Sequence, residues 1–391
     1  MIDVGRLRAD TPGVRRVKHF NNAGASLMPV QVIETVQSYL DDEIAIGGYE
    51  TYRKHANQIE NVYRSLALLI GADRSEIALA DSATRAWDLL FYSIGLREGD
   101  RIVTTTSEYA SNWAAYLHLR DHRGVEIVVV PDTVSGELDI EALDAVVRGG
   151  KTSLITLNHM PTNGGLVNPA AEVGTIASTH GVPFLLDACQ TVGQIPIDVS
   201  EIACDMLTAT SRKFLRGPRG VGFLYVREGF LDRLDPVFVE MGTATVVLPD
   251  RYQMAPRAQR FETWEKAFGN VAGLGAAVDY AMEIGLADIW ERIQVLASTM
   301  RQLLGEIDGV SVYDRGSVKG GIVTFDIEGR QMPEVQELLA ERSINVSTVT
   351  PFSAPVDMHE RGIEGLVRAS VHAYNTVDEI ECLVEAVRVI A

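Results

Sequence analysis

The chain has 391 residues, with 35 Lys and Arg against 53 Asp and Glu, a formal net charge of −18 at pH 7. At roughly 100 to 200 residues per domain this length predicts about two or three domains, with a core that stands without disulfide or metal staples. A composition of 46% hydrophobic and 23% charged residues is globular, and the acidic field repels nucleic-acid backbones and anionic lipid surfaces, so neither is an expected partner. No run of about 18 apolar residues occurs, and MIDVGRLRADTPG lacks the apolar centre of a secretion signal, so a soluble cytoplasmic protein is expected.

Two helical patterns come first, near 30–46 and 51–70. The second is amphipathic through Ile59, Val62, Tyr63, Leu66 and Leu69 and stops at Gly71. From about residue 76 the rhythm changes to short β-rich runs, EIALA, RIVTTT, VEIVVV, TSLITLN, VPFLLD, MLTAT and VGFLYV, with helical stretches at 84–95, 111–123, 139–148 and 169–180 between them. Seven such runs predict a mostly parallel seven-stranded sheet covered on both faces, an α/β domain over 16–255. Beyond it the sequence predicts a long helical stretch around 270–307, strands near 310, 322, 345 and 367, and a last helix from 377. That is a smaller α+β domain over 256–391, joined by residues 1–15, with the site expected between the two domains.

Cys189, Cys204 and Cys382 are widely spaced and form no CxxC, so neither a disulfide framework nor a thiolate metal site is expected. His118 and His122 stand four apart on an expected helix, but without an HExxH context they read as a solvated pair rather than as ligands. In open α/β sheets ligands sit beyond the carboxyl ends of the strands, and three ends carry chemistry. VPFLL runs into Asp187, which taken alone serves equally as a cap or turn residue. MLTAT runs into Ser211, Arg212 and Lys213, followed by a glycine-rich turn. A lysine there is either an ordinary loop residue or a desolvated amine suited to Schiff-base chemistry. EIALA runs into Asp81-Ser-Ala-Thr84 and a helix, an ordinary cap that also makes a phosphate cradle of backbone N–H groups at Ala83 and Thr84. Together a phosphate anchor, a strand-end carboxylate and a strand-end amine are the parts that pyridoxal phosphate needs.

With these motifs the chain resembles the fold-type I pyridoxal-phosphate enzymes of the class V aminotransferase and cysteine desulfurase superfamily. The resemblance runs from Asn21-Asn-Ala-Gly24 to Arg368-Ala-Ser-Val-His-Ala-Tyr-Asn-Thr376. It rests on Ser107-Glu-Tyr-Ala-Ser-Asn112, Asn163-Gly-Gly165, Asp187-Ala-Cys-Gln190 and Ser211-Arg-Lys213. It implies that Lys213 holds pyridoxal 5′-phosphate as a Schiff base, that Asp187 keeps the pyridine nitrogen protonated, and that Gln190 and Asn163 lie near the phenolic oxygen. It further implies that Ala83, Thr84 and Ser211 take the phosphate, with Arg212 beside them, that Tyr109 stacks on the ring, and that Arg368 forks onto the substrate carboxylate, with Asn22 and Trp113 also facing the substrate. A homodimer follows from the same resemblance.

Four departures guide the expected reaction, the first two being Arg212 and Tyr109, which stand where desulfurases commonly carry histidine. Desulfurases commonly carry a cysteine on the loop before the carboxylate-binding arginine, where this chain reads STVTPFSAPVDMHERGIEGLV. Many relatives carry a Gly-Thr pair reaching the partner's phosphate, where this chain has Phe261-Glu-Thr-Trp-Glu265. The motifs look more like the branch holding carbon–sulfur lyases of the hercynylcysteine sulfoxide lyase kind and isopenicillin N epimerase-like proteins. The expectation is therefore β-elimination of an S-substituted L-cysteine or its sulfoxide to thiol or sulfenate, pyruvate and ammonia, with Tyr109 stacking or protonating the sulfur. Epimerisation, a decarboxylating or oxidative reaction, and a cofactor-binding scaffold without turnover are the alternatives, and a persulfide-type desulfurase is disfavoured. Tyr49, Tyr52, Trp113, Phe352 and the loop around Met358 are candidates for the entrance.

Overall fold

The computed structural model describes residues 2–391. Its central sheet has seven strands: β1 (Ile77–Ala80), β2 (Arg101–Thr105), β3 (Glu126–Val130), β4 (Leu154–Asn158), β5 (Phe184–Asp187), β6 (Met206–Thr210) and β7 (Gly222–Val226). Across the sheet the order is β1-β7-β6-β5-β4-β2-β3, and only β7 runs against its neighbours β1 and β6. The central strands are apolar without alternation because helices cover both faces. Phe184, Leu185 and Leu186 of β5 are all fully buried, each such side chain stabilising the fold by about 1.5–3 kcal/mol. The chain places β3 on one side of β2 and β4 on the other, so a crevice opens between the carboxyl ends of β2 and β4, where ligands of open α/β sheets bind.

The helices before the sheet are α1 (Val30–Ile46) and α2 (Gly48–Ile70), close to the expected spans. The break between them is Gly47, whose φ of 93° disfavours any residue with a Cβ. The stop at Gly71 lies where the sequence put it, in the left-handed conformation. Crossover helices α3 (Ala83–Ser93) and α4 (Ala110–Arg123) follow β1 and β2. His118 and His122 lie exposed on α4, their rings stacked at 4.3 Å. The long helical stretch expected around 270–307 is two helices, α5 (Phe268–Ile284) and a second over Leu286–Gly305, because Gly285 takes φ 94° between them. Helix α5 packs on α1 and α2.

The second sheet is antiparallel, in the order Val310–Val312, Ile322–Ile327, Leu366–Ser370, Ser347–Val349. The N-terminal segment ties to this part of the chain: Lys18–His19 pairs in parallel with Ile344–Asn345, and Arg8 bonds Glu379 at 2.8 Å. An exposed hairpin, Ala244–Leu248 with Arg251–Met254, and a helix over Met332–Ala340 are among the elements that the sequence pattern did not single out. No helix among the described residues is long and apolar enough to cross a membrane.

Candidate active site

The carboxyl ends of β1, β2, β4, β5 and β6 open into one pocket, lined by Ala83 and Thr84, Tyr109, Asp187 with Gln190, and Lys213. Each is placed by a local rule. Ser82 caps α3 in extended conformation (φ −162°), its hydroxyl accepting from Arg85 N at 3.1 Å, so the N–H groups of the first turn face the pocket with the positive end of the helix dipole behind them. Gly222 at the start of β7 comes so close that a Cβ there would lie 3.0 Å from Ala83 N and 2.7 Å from Ala209 O. Tyr109 is the N-cap of α4. Asp187 ends β5, 6% exposed, with Oδ1 accepting from Cys189 N at 3.0 Å and Oδ2 from Asn112 Nδ2 at 3.1 Å.

Lys213 follows β6 at the floor of this pocket. Desolvation is the main cause that pulls its amine down to about 8, against its usual value near 10.4. Arg212 and Arg368 push the same way, and Cys189 and Asp187 oppose them. Arg368 comes from the second sheet, on the strand Leu366–Ser370, where it pairs with Thr324 and Ser347. It is 7% exposed, and burial brings it down to about 10. Its Nη1 donates to Thr162 O at 3.0 Å and Thr162 Oγ1 at 2.6 Å.

Several buried polar atoms have no partner among the described residues, and four belong to the groups that the resemblance assigns to a ligand: Ser211 Oγ, Gln190 Oε1, Asn163 Oδ1 and Arg368 Nε. A buried group left unpaired costs about 1–3 kcal/mol, more if charged, so the Ser211 hydroxyl and the Arg368 N–H mark where a phosphate and a carboxylate would be received, while the amide oxygens accept and call for a donor. A Cβ at Gly217 would collide with Ser211 Oγ, which keeps glycine there. The donor set and its order along the sheet fit pyridoxal phosphate.

Three residues expected at the site are engaged elsewhere. Asn22 is fully buried, with Nδ2 donating to Ser370 O at 2.7 Å and Oδ1 accepting from Tyr374, so it welds the N-terminal segment to the closing strand. Asn163 donates to Asp357 Oδ2 at 2.6 Å and lines a small separate cavity with it. The neighbouring Thr162 is the residue that reaches the pocket and Arg368. Trp113 packs edge-on against Tyr116 in a hydrophobic cluster. Of the entrance candidates, Met358 is fully buried, Phe352 is exposed, and Tyr49 and Tyr52 line a different cavity with Trp264 and Phe268. Motif reading missed Thr162, Asn112 and Trp87 as pocket residues. Asn112 closes a motif that the sequence singled out, whereas Thr162 and Trp87 carry no local signal and are found only once the strands are assembled.

The fold and this site define a pyridoxal-phosphate enzyme. The chain belongs to the class-V aminotransferase family, whose model matches residues 19–383, and its cofactor is pyridoxal 5′-phosphate. It is 29% identical to a probable cysteine desulfurase of Methanothermobacter thermautotrophicus over 98% of this chain and 97% of the relative, and 30% identical to a cysteine desulfurase of Shigella flexneri over 97% and 96%. The solved cysteine desulfurase of Thermococcus onnurineus superposes with a TM-score of 0.93 at 28% identity, covering 100% of this chain and 98% of that one. These relatives correct the reaction expected from the motifs. Elimination of an S-substituted cysteine, with a persulfide-type desulfurase disfavoured, is overturned by full-length similarity to cysteine desulfurases. The physical reason is that the departures used, at Tyr109, Arg212 and the loop before Arg368, surround a machinery common to all these reactions. A missing loop cysteine says where sulfur does not go, not which bond breaks.

Proposed function

We propose that the chain acts on L-cysteine in the manner of the cysteine desulfurases, breaking the Cβ–S bond so that sulfur passes to an acceptor thiol. The balance is L-cysteine plus R–SH giving L-alanine plus R–S–SH, with no external oxidant or reductant. The observation that carries this reading is the meeting of Lys213 and Asp187 in one pocket, with Arg368 bonded to Thr162 on its wall, in a chain that matches cysteine desulfurases end to end. Pyridoxal phosphate, when bound, supplies an electron sink for a bond at the substrate α-carbon. Arg368 receives the substrate carboxylate through its unpaired Nε edge while Thr162 holds the other edge. Lys213, with an amine drawn down toward neutral pH, moves the α-proton, and Asp187 holds the proton of the ring nitrogen. Ser211 and the first turn of α3 hold the phosphate.

The acceptor thiol comes from outside the pocket. Cys189 lines it, but burial first and the charge of Asp187 next push its thiol far above the usual range, so the thiolate nucleophile is scarce. Cys204 is buried elsewhere, Cys382 lies on the last helix, and residues 347–367 hold no cysteine. The site works between the units 16–255 and 256–391, and the assembly is a homodimer.

The test is turnover of L-cysteine by the cofactor-loaded protein with dithiothreitol as the acceptor, measuring alanine and sulfide. Equal amounts of both, abolished in Lys213→Ala, support the reading. Retained cofactor with neither product from L-cysteine overturns it.

A further inference from the structure

Beneath the pocket lies a second carboxyl group, that of Glu108. It follows β2, is 1% exposed, and forms no ion pair among the described residues. Its Oε1 accepts from Thr104 Oγ1 at 2.8 Å and its Oε2 from Asn112 Nδ2 at 3.3 Å. The same Asn112 nitrogen donates to Asp187 Oδ2 at 3.1 Å, so one amide, itself 2% exposed, ties the two carboxyl groups together. The groups facing Glu108 from the packed elements are Thr104 on β2, Asn112 and Tyr116 on α4, and Asp187 on β5, with the Tyr116 hydroxyl passing on to Thr156 of β4 at 2.9 Å. Among them Asp187 is the one charged side chain.

We propose that Glu108 is a positioning residue for the cofactor: acting through Asn112, it fixes the orientation of Asp187 and, by its own charge state, sets how firmly Asp187 holds the proton of the ring nitrogen. The proposal rests on Asp187 facing that nitrogen and not on which amino acid is turned over. The geometric half follows from the shared amide. Asp187 has one oxygen on the Cys189 N–H and the other on Asn112, so the plane of its carboxylate depends on an amide that Glu108 in turn holds. The electrostatic half follows from burial. A second negative charge in a dry site, with no cation facing it, tightens the hold on a proton shared with Asp187, and neutralising that charge relaxes the effect. Burial first, then Asp187, push Glu108 up to about 7, against the hydrogen bonds of Thr104, Asn112 and Tyr116, so the change of charge falls at neutral pH.

The experiment is a pH titration of the absorption spectrum of bound pyridoxal phosphate, without substrate, in the wild type and in Glu108→Gln, which keeps shape and loses charge. The wild type is expected to show a component with a midpoint near 7 that Glu108→Gln lacks, with cofactor affinity weakened on the order of tenfold. Thr104→Val, which removes a donor that favours the charged form, should move the midpoint upward with Glu108 intact. An unchanged titration in Glu108→Gln overturns the proposal even if the melting temperature falls, since Glu108 then only fastens β2 to α4. Asp187→Asn separates the two readings. If it leaves the spectrum unaltered, the assignment of Asp187 itself fails. If it alters the spectrum while Glu108→Gln does not, only the role of Glu108 falls.

Discussion

Burial makes the site work at the scale of single side chains. A lysine in water holds its proton until pH near 10.4, whereas Lys213 is brought down to about 8 by desolvation, with two arginines adding to it. Only the neutral amine attacks an aldehyde, and the neutral fraction grows as pH rises through the pKa. The rate of pyridoxal phosphate attachment to the apoprotein should therefore rise about tenfold per pH unit below about 8 and level off above it. Stopped-flow absorbance over pH 6 to 10 measures this. A rate still climbing at pH 10 would show that Lys213 keeps the pKa of a solvated lysine. Lys213 and Asp187 line the pocket, and the sequence pointed to them through their joint order with the phosphate cradle and the family motifs, since each alone reads as a cap or loop residue. Thr162 was not legible in this way, because it acts through a carbonyl and a hydroxyl on Arg368, some 200 residues away in the chain, and no local pattern encodes that contact.

Among the elements, the segment between Ser347–Val349 and Leu366–Ser370 departs most from a free loop. It contains the short helix Pro355–Glu360, and Asp357 on that helix is held by Arg315 at 3.4 Å, Arg361 at 3.2 Å and Asn163 at 2.6 Å. Its backbone N–H also donates to Thr106 O beside the end of β2, and Ala110 N donates to Ser353 O, so the segment is stitched to the rim of the large sheet. Breaking a mostly buried ion pair from one side costs about 3–5 kcal/mol, since charges stay behind without a partner. Asp357→Ala is expected to speed amide hydrogen exchange across residues 350–365 by at least tenfold and to lower the melting temperature. Unchanged protection there would mean that the backbone bonds alone hold the segment. The same region shows the limit of sequence reading. The strands and crossover helices were legible because their apolar periods are set by burial on a sheet. The clamp was not, since Asp357 and Arg361 carry no local signal of Arg315 or Asn163, which come from distant parts of the chain, and Asn163 reads as a cofactor contact. The break at Gly285 was missed for the same reason, as apolar periodicity continues across it.

At the scale of the whole molecule the unexplained feature is apolar surface. The hairpin Ala244–Leu248/Arg251–Met254 and its surroundings expose Val246 (73%), Met241 (69%), Tyr252 (58%), Phe238 (56%) and Trp264 (52%). A patch of this kind on an otherwise well-buried fold marks an interface. It borders the phosphate cradle, for Arg85, three residues beyond the α3 cap, lies over the Phe238 ring at 5.6 Å. A second copy seated on the hairpin would bury these side chains and also exclude water from the cradle, which strengthens every charge-assisted bond to the phosphate. Dimerisation and cofactor retention are then one property rather than two. Val246 and Tyr252 are cross-strand partners in the hairpin and are exposed, so Val246→Asp with Tyr252→Asp should leave the monomer core intact while placing two like charges in the interface. Light scattering after gel filtration is expected to show a dimer for the wild type and a monomer for the double variant. The monomer should bind pyridoxal phosphate at least tenfold more weakly while its far-ultraviolet circular dichroism is unchanged. A wild-type monomer at micromolar concentration would remove the basis for the dimer. A monomeric double variant that binds the cofactor as tightly as the wild type would show that each cradle is complete within one chain.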